Sequence, residues 1–178
     1  MLVGVVGPSG AGKDTLMDGA RTALAGDPRF LFARRVITRP AAAGGEDHEP
    51  ATPADFARMR DQGDFALWWD AHGLSYGIPA RIAAEAGQGR VVVANLSRGV
   101  LVEAAARFPL LVLAITAPLE LRAARLAARG RESVEDVARR LSREAPLPEG
   151  LNRRLVVNVG SPEQGIAAVV ALLRAALA

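Results

Sequence analysis

Gly7-Pro8-Ser9-Gly10-Ala11-Gly12-Lys13-Asp14 is the stretch that decides the fold. Five apolar residues, Leu2–Val6, lead into it and read as a buried parallel strand. Residues 13–25 follow with helical spacing, Leu16, Ala20 and Leu24 on one face, and Gly26, Asp27 and Pro28 stop the pattern. Strand, glycine loop, lysine and helix in that order are the setting of the G-x-x-x-x-G-K phosphate loop. Its glycines let successive backbone N–H groups turn inward on phosphate oxygens, and the helix N-terminus adds partial positive charge. Gly7, Pro8, Ser9, Gly10, Ala11, Gly12, Lys13, Asp14 and Thr15 are therefore expected to bind ATP, with Lys13 reaching the β- and γ-phosphates. Lys13 is the sole lysine beside 21 arginines, which argues that a compact ammonium is needed there.

A hydroxyl residue usually follows that lysine and binds magnesium; here Asp14 does, with Thr15 next. Two readings are open. Asp14 is a hard carboxylate ligand for Mg²⁺, directly or through a water, or it caps the helix while Thr15 bonds a phosphate. Strands at 90–94 and 110–116 end without an acid, which leaves Asp14 as the first choice for the metal side.

Outward from the loop, strands are expected at 32–38, 65–71, 74–78, 90–94, 110–116 and 155–159. Helices are expected at 53–62, 79–86, 98–107, 118–129, 133–144 and 162–177. His72-Gly73 sits between two strands as a hairpin turn, which gives His72 a structural part, and residues 40–53 lack periodicity and read as a loop. The alternation implies an α/β parallel sheet flanked by helices, with an irregular insertion forming its own lobe.

Composition narrows the class. The 178 residues suit one α/β domain, and half are hydrophobic. Cysteine is absent, which removes disulfides and fits a cytoplasmic location. A net charge of +3 with scattered arginines gives no nucleic-acid footprint. The most apolar stretch, 165–178, is too short to cross a membrane and holds Arg174.

The order of further signals is Val36-Ile37-Thr38-Arg39-Pro40, Phe65, Trp68, His72-Gly73, Tyr76-Gly77, Leu126-Ala127-Ala128-Arg129-Gly130, Ala138-Arg139-Arg140-Leu141 and Val156-Val157-Asn158. This resembles the guanylate kinase family from end to end. The resemblance implies a P-loop NTPase fold and a single kinase domain over 1–178. Its core would take 1–32, 81–124 and 146–178, an acceptor-binding lobe about 33–80, and a helical lid about 125–145. The departures bear on the acceptor. Leu67 stands where the family has a glutamate that reads guanine, Ile78 and Pro79 follow Tyr76-Gly77, and Asp47-His48 replaces a phosphate-gripping tyrosine segment. A polar base edge facing Leu67 would lose a partner, at roughly 1–3 kcal/mol.

GPSGAGKDT at 7–15, T-R-P with G-G-E-D-H at 38–48, A-H-G-L-S-Y-G-I-P at 71–79 and N-L-S-R at 95–98 are similar to the ribose 1,5-bisphosphate phosphokinases of phosphonate catabolism. That resemblance implies transfer from Mg²⁺-ATP to a sugar phosphate, with 5-phosphoribosyl 1-diphosphate as product. It implies Lys13, Arg39, Arg129 and Arg140 as catalytic residues, Arg39 on the acceptor phosphate and the other two arginines in the lid. Arg39, Glu46, Asp47, His48, Tyr76, Asn95, Ser97 and Arg98 are the expected substrate-binding set; for the three at 46–48 a solvated loop is the rival reading. A phosphate nucleophile is already ionised near neutral pH, its second pKa being about 6, so no general base is required. A relaxed nucleoside monophosphate kinase and a non-catalytic interaction module are the competing functions, and a homodimer stays open.

Overall fold

The computed structural model describes residues 1–43, 46–128 and 146–177. The backbone forms a five-stranded parallel sheet and a separate four-stranded sheet. In chain order the elements are β1 (Leu2–Val6), α1 (Lys13–Ala23), β2 (Phe30–Phe32), β3 (Val36–Ile37), a 3₁₀ turn (Ala41–Ala43), β4 (Glu49–Pro50), α2 (Pro53–Asp61), β5 (Phe65–Ala71), β6 (Leu74–Pro79) and α3 (Arg81–Gly87). They continue with β7 (Val91–Asn95), a second 3₁₀ turn (Arg98–Val100), α4 (Leu101–Arg107), β8 (Leu110–Thr116), α5 (Leu119–Ala127), β9 (Arg153–Val157) and α6 (Pro162–Ala175).

The larger sheet runs β2-β7-β1-β8-β9. β1 and β7 are buried at every residue, as strands with neighbours on both edges and layers on both faces must be. Two compact units divide the chain, Met1–Gly4 with Asp27–Leu111, and Val5–Gly26 with Val112–Ala178. The lobe expected at 33–80 lies inside the first unit, which also takes in α3, β7 and α4.

In the first unit the smaller sheet runs β4-β3-β6-β5. The strand expected at 32–38 is two strands in two sheets. Ala33 still donates to Val93 O at 2.8 Å alongside β7, and then Arg34-Arg35 carries the chain across to β3, which pairs with β6. Residues 40–53, expected as loop, contain the 3₁₀ turn and β4, an edge strand parallel to β3. Pro50 is tolerated there because an edge position leaves one side of the strand unpaired. The β5–β6 hairpin turns at His72 and Gly73, with φ of 54° and 74°, the paired positive angles of a type I′ turn. Val36, Phe56 and Phe65 form a core beneath this sheet, the two rings stacked at 4.6 Å.

In the second unit α6 opens with a capping box. Ser161 Oγ accepts from Gln164 N at 3.4 Å, and Gln164 Oε1 accepts from Ser161 N at 3.1 Å. β9 starts at Arg153, two residues before the expected strand, because its ladder with β8 extends to Arg153 and Arg154 on an exposed edge. Among the described residues no helix is long and apolar enough to cross a membrane. The helix expected at 133–144 lies outside the described residues.

Candidate active site

The phosphate loop belongs to the second unit, and its geometry follows from how its carbonyls are held. Gly10 and Gly12 have φ of 79° and 83°, conformations that L side chains resist. The carbonyls of Ser9, Gly10 and Ala11 each meet a side-chain donor. Arg122 Nε donates to Ser9 O at 3.0 Å, and Arg125 Nη1 reaches Gly10 O and Ala11 O at 3.4 and 3.5 Å. Asn158 Nδ2 donates to Ala11 O at 2.8 Å, and Arg125 Nη2 donates to Asn158 O at 3.2 Å. Ala11 N–H closes a turn onto Pro8 O at 3.2 Å, and with these carbonyl oxygens turned toward side-chain donors the N–H groups at the start of α1 are left to face an anion. A cleft of about 310 Å³ opens beside the loop, lined by Gly12, Thr15, Arg125, Asn158, Gly160 and Pro162.

Lys13 Nζ lies 2.6 Å from Asp14 Oδ1, the lysine side chain 16% and the aspartate 59% exposed. Among the described residues no group of three His, Cys, Asp or Glu is arranged to hold a metal. A single exposed carboxylate beside a phosphate cradle nevertheless suits Mg²⁺, which keeps several waters and takes one or two carboxylates plus substrate phosphates.

Arg122, Arg125 and Asn158 carry no role in the sequence reading. The signal available was spacing: Arg122 and Arg125 stand three apart and share one helix face. Arg129 and Arg140 lie outside the described residues.

The remaining expected site residues gather in the first unit. Thr38 is tied to β6 in both directions, its N–H to Ser75 O at 3.1 Å and its Oγ1 accepting from Ser75 N at 2.8 Å. That fixes Arg39. One Arg39 Nη lies 3.3 Å from His48 Nδ1, and Arg39 Nε is buried with no protein acceptor among the described residues. His48 is buried, its Nε2 3.0 Å from Arg39 O and its Nδ1 3.0 Å from Glu46 O. The imidazole thus braces the arginine's backbone rather than standing open to solvent.

Glu46 is held at both oxygens, by Arg35 Nε at 2.6 Å and by Asn95 Nδ2 at 2.6 Å. Asp47 is exposed and paired with Arg34 at 3.0 Å. Tyr76 stacks on Trp69, and the Arg35 guanidinium lies over the pair. Ser97 Oγ accepts from Gly99 N at 3.3 Å and so caps the turn that begins at Arg98. Leu67 pairs with Ile78 and is wholly buried, so no polar group at that position faces a ligand.

No protein-family model matches the chain. Ribose 1,5-bisphosphate phosphokinase PhnN of Rhizobium etli is 47% identical over 180 residues, covering 100% of this chain and 91% of that protein. PhnN of Methylobacterium radiotolerans is 47% identical over 177 residues, covering 98% and 97%. This chain belongs to the ribose 1,5-bisphosphate phosphokinase family. The family also includes longer proteins. The bifunctional ribose 1,5-bisphosphokinase-thymidine phosphorylase of Cupriavidus necator is 53% identical over 172 residues, 96% of this chain, and this chain spans only 28% of that relative. The crystal structure of guanylate kinase from Anaplasma phagocytophilum aligns at a TM-score of 0.66 with 16% identity, covering 99% of this chain and 85% of that one, which places this chain in the guanylate-kinase-like fold.

Proposed function

We propose that this chain transfers the γ-phosphoryl group of ATP to the 1-phosphate of ribose 1,5-bisphosphate, forming 5-phosphoribosyl 1-diphosphate, as a step of phosphonate breakdown. The observation that carries the reading is 47% identity along the whole chain to proteins of similar length that bear the phosphokinase name. The buried Leu67 supports it, since it offers nothing to a nucleobase edge.

The loop amides at 7–15 would hold the triphosphate and Lys13 would neutralise charge on the transferring group. An ionised oxygen of the acceptor 1-phosphate attacks the γ-phosphorus. The bond from that phosphorus to the bridging oxygen breaks, and the electron pair leaves on ADP. Mg²⁺, when bound at Asp14 and the phosphates, would supply further charge neutralisation. Arg39 is the proposed acceptor-phosphate ligand, because a guanidinium with an unmet donor suits phosphate oxygens. Arg129 and Arg140 are proposed to close over the reaction. Glu46, Asn95 and Tyr76 are proposed to line the sugar site. Asp47, Ser97 and Arg98 lie along its rim in this proposal, and His48 supports Arg39.

The test is a phosphorus NMR assay with ATP and ribose 1,5-bisphosphate, GMP or AMP side by side. A new diphosphate signal with the sugar bisphosphate alone is expected. Faster conversion of GMP would overturn the substrate assignment.

A further inference from the structure

Arg35 stands where the chain leaves β2 for β3. It immediately precedes β3, and its carbonyl accepts from Glu49 N at 2.8 Å, so its backbone is fixed by the sheet. Its side chain is only 12% exposed. The guanidinium carbon sits 4.8 Å from the Tyr76 ring centroid and 5.6 Å from that of Trp69. Those rings are themselves parallel within 7° at 5.5 Å. Parallel, stacked aromatic rings offer a face on which any heteroaromatic ring would stack. In this chain a flat cation lies there instead.

The same guanidinium has a second engagement. Its Nε bonds Glu46 Oε1 at 2.6 Å, while Asn95 Nδ2 bonds Glu46 Oε2 at 2.6 Å. One donor on each oxygen fixes the carboxylate plane and leaves further lone pairs on both. A carboxylate in that state accepts hydroxyl donors such as the 2- and 3-hydroxyls of a sugar bisphosphate.

We propose that Arg35 is a specificity-determining and positioning residue of the acceptor lobe: it covers the Tyr76–Trp69 platform against planar bases and aims Glu46 at the hydroxyls of a sugar bisphosphate. The inference rests on the reaction proposed above for its sugar half and on the ring geometry alone for its exclusion half.

Calorimetric titration of wild type, Arg35→Ser and Arg35→Lys with GMP and with ribose 1,5-bisphosphate tests it. Arg35→Ser uncovers the platform and frees Glu46. GMP affinity is expected to rise roughly 10- to 100-fold, the size of one base–aromatic stack, while sugar bisphosphate affinity falls. Arg35→Lys keeps a cation beside Glu46 but removes the flat cover, so it decides the matter if the serine variant does not fold. It should gain GMP affinity and hold the sugar ligand better than Arg35→Ser. A mere packing defect produces no gain, so a rise of less than about tenfold for GMP in the folded variants overturns the proposal. If wild type neither binds nor phosphorylates ribose 1,5-bisphosphate, the reaction assignment is lost, and the GMP titration still decides for or against the covered platform.

Discussion

A Cβ on Gly12 would stand 2.5 Å from Asn158 Nδ2, closer than real methyl groups approach, so Gly12→Ala and Asn158→Ala should be strongly coupled. Asn158→Ala removes the 2.8 Å bond to Ala11 O and leaves that carbonyl with Arg125 at 3.5 Å. An under-satisfied buried carbonyl costs about 1–3 kcal/mol. Gly12→Ala places a side chain at φ 83°, which costs about 1–2 kcal/mol. It also pushes Nδ2 away and breaks the same bond, for a total of roughly 2–5 kcal/mol. In the double variant the bond is lost once and the clash is gone. Its total should equal that of Gly12→Ala, so the coupling should be about 1–3 kcal/mol. Urea unfolding of the four proteins measures stability, and calorimetry with Mg-ATP reads the loop. Nucleotide affinity should weaken in both single variants, because the same bond sets the loop's carbonyls. Additive losses, within about 0.5 kcal/mol, would refute the claim that one bond and one missing methyl form a single device.

Lys13→Ala should abolish phosphoryl transfer and leave the far-ultraviolet circular dichroism spectrum unchanged, since among the described residues the Lys13 side chain bonds its exposed neighbour Asp14 alone. Near-normal kcat in that variant would remove the lysine from the mechanism. Ser161→Ala breaks the capping box of α6 and should cost about 0.5–2 kcal/mol in urea unfolding, with Mg-ATP affinity little changed.

The sequence exposed elements whose evidence is local. β1 and β8 stand where their apolar runs lie, and the I′ turn falls on His72-Gly73 because small and polar residues interrupt two alternating strands there. The phosphate loop was equally legible, being a contiguous motif. β4 was not, since Glu49-Pro50 carries no strand signal and takes its form from pairing with β3, thirteen residues back. The break between β2 and β3 was hidden for a similar reason: apolar residues flank Arg34-Arg35 on both sides, and the change of sheet depends on distant partners at Val93 and Gly77. In the site, Glu46 was picked out by its motif, but its clamp by Arg35 and Asn95 joins residues 11 and 49 positions away. Arg125 and Asn158 meet the loop from over 100 residues downstream, beyond the reach of any periodicity.

β1 comes before the strands it pairs with in chain order. Its five residues are all buried, and its neighbours in the sheet are β7, which ends at Asn95, and β8, which begins at Leu110. During synthesis at roughly 5–20 residues per second, Leu-Val-Gly-Val-Val waits on the order of 4–20 s for its first partner strand. The apolar run directly ahead of the phosphate loop therefore stays unpaired until β7 has been made, and the pace of translation through β7 sets how long it is displayed.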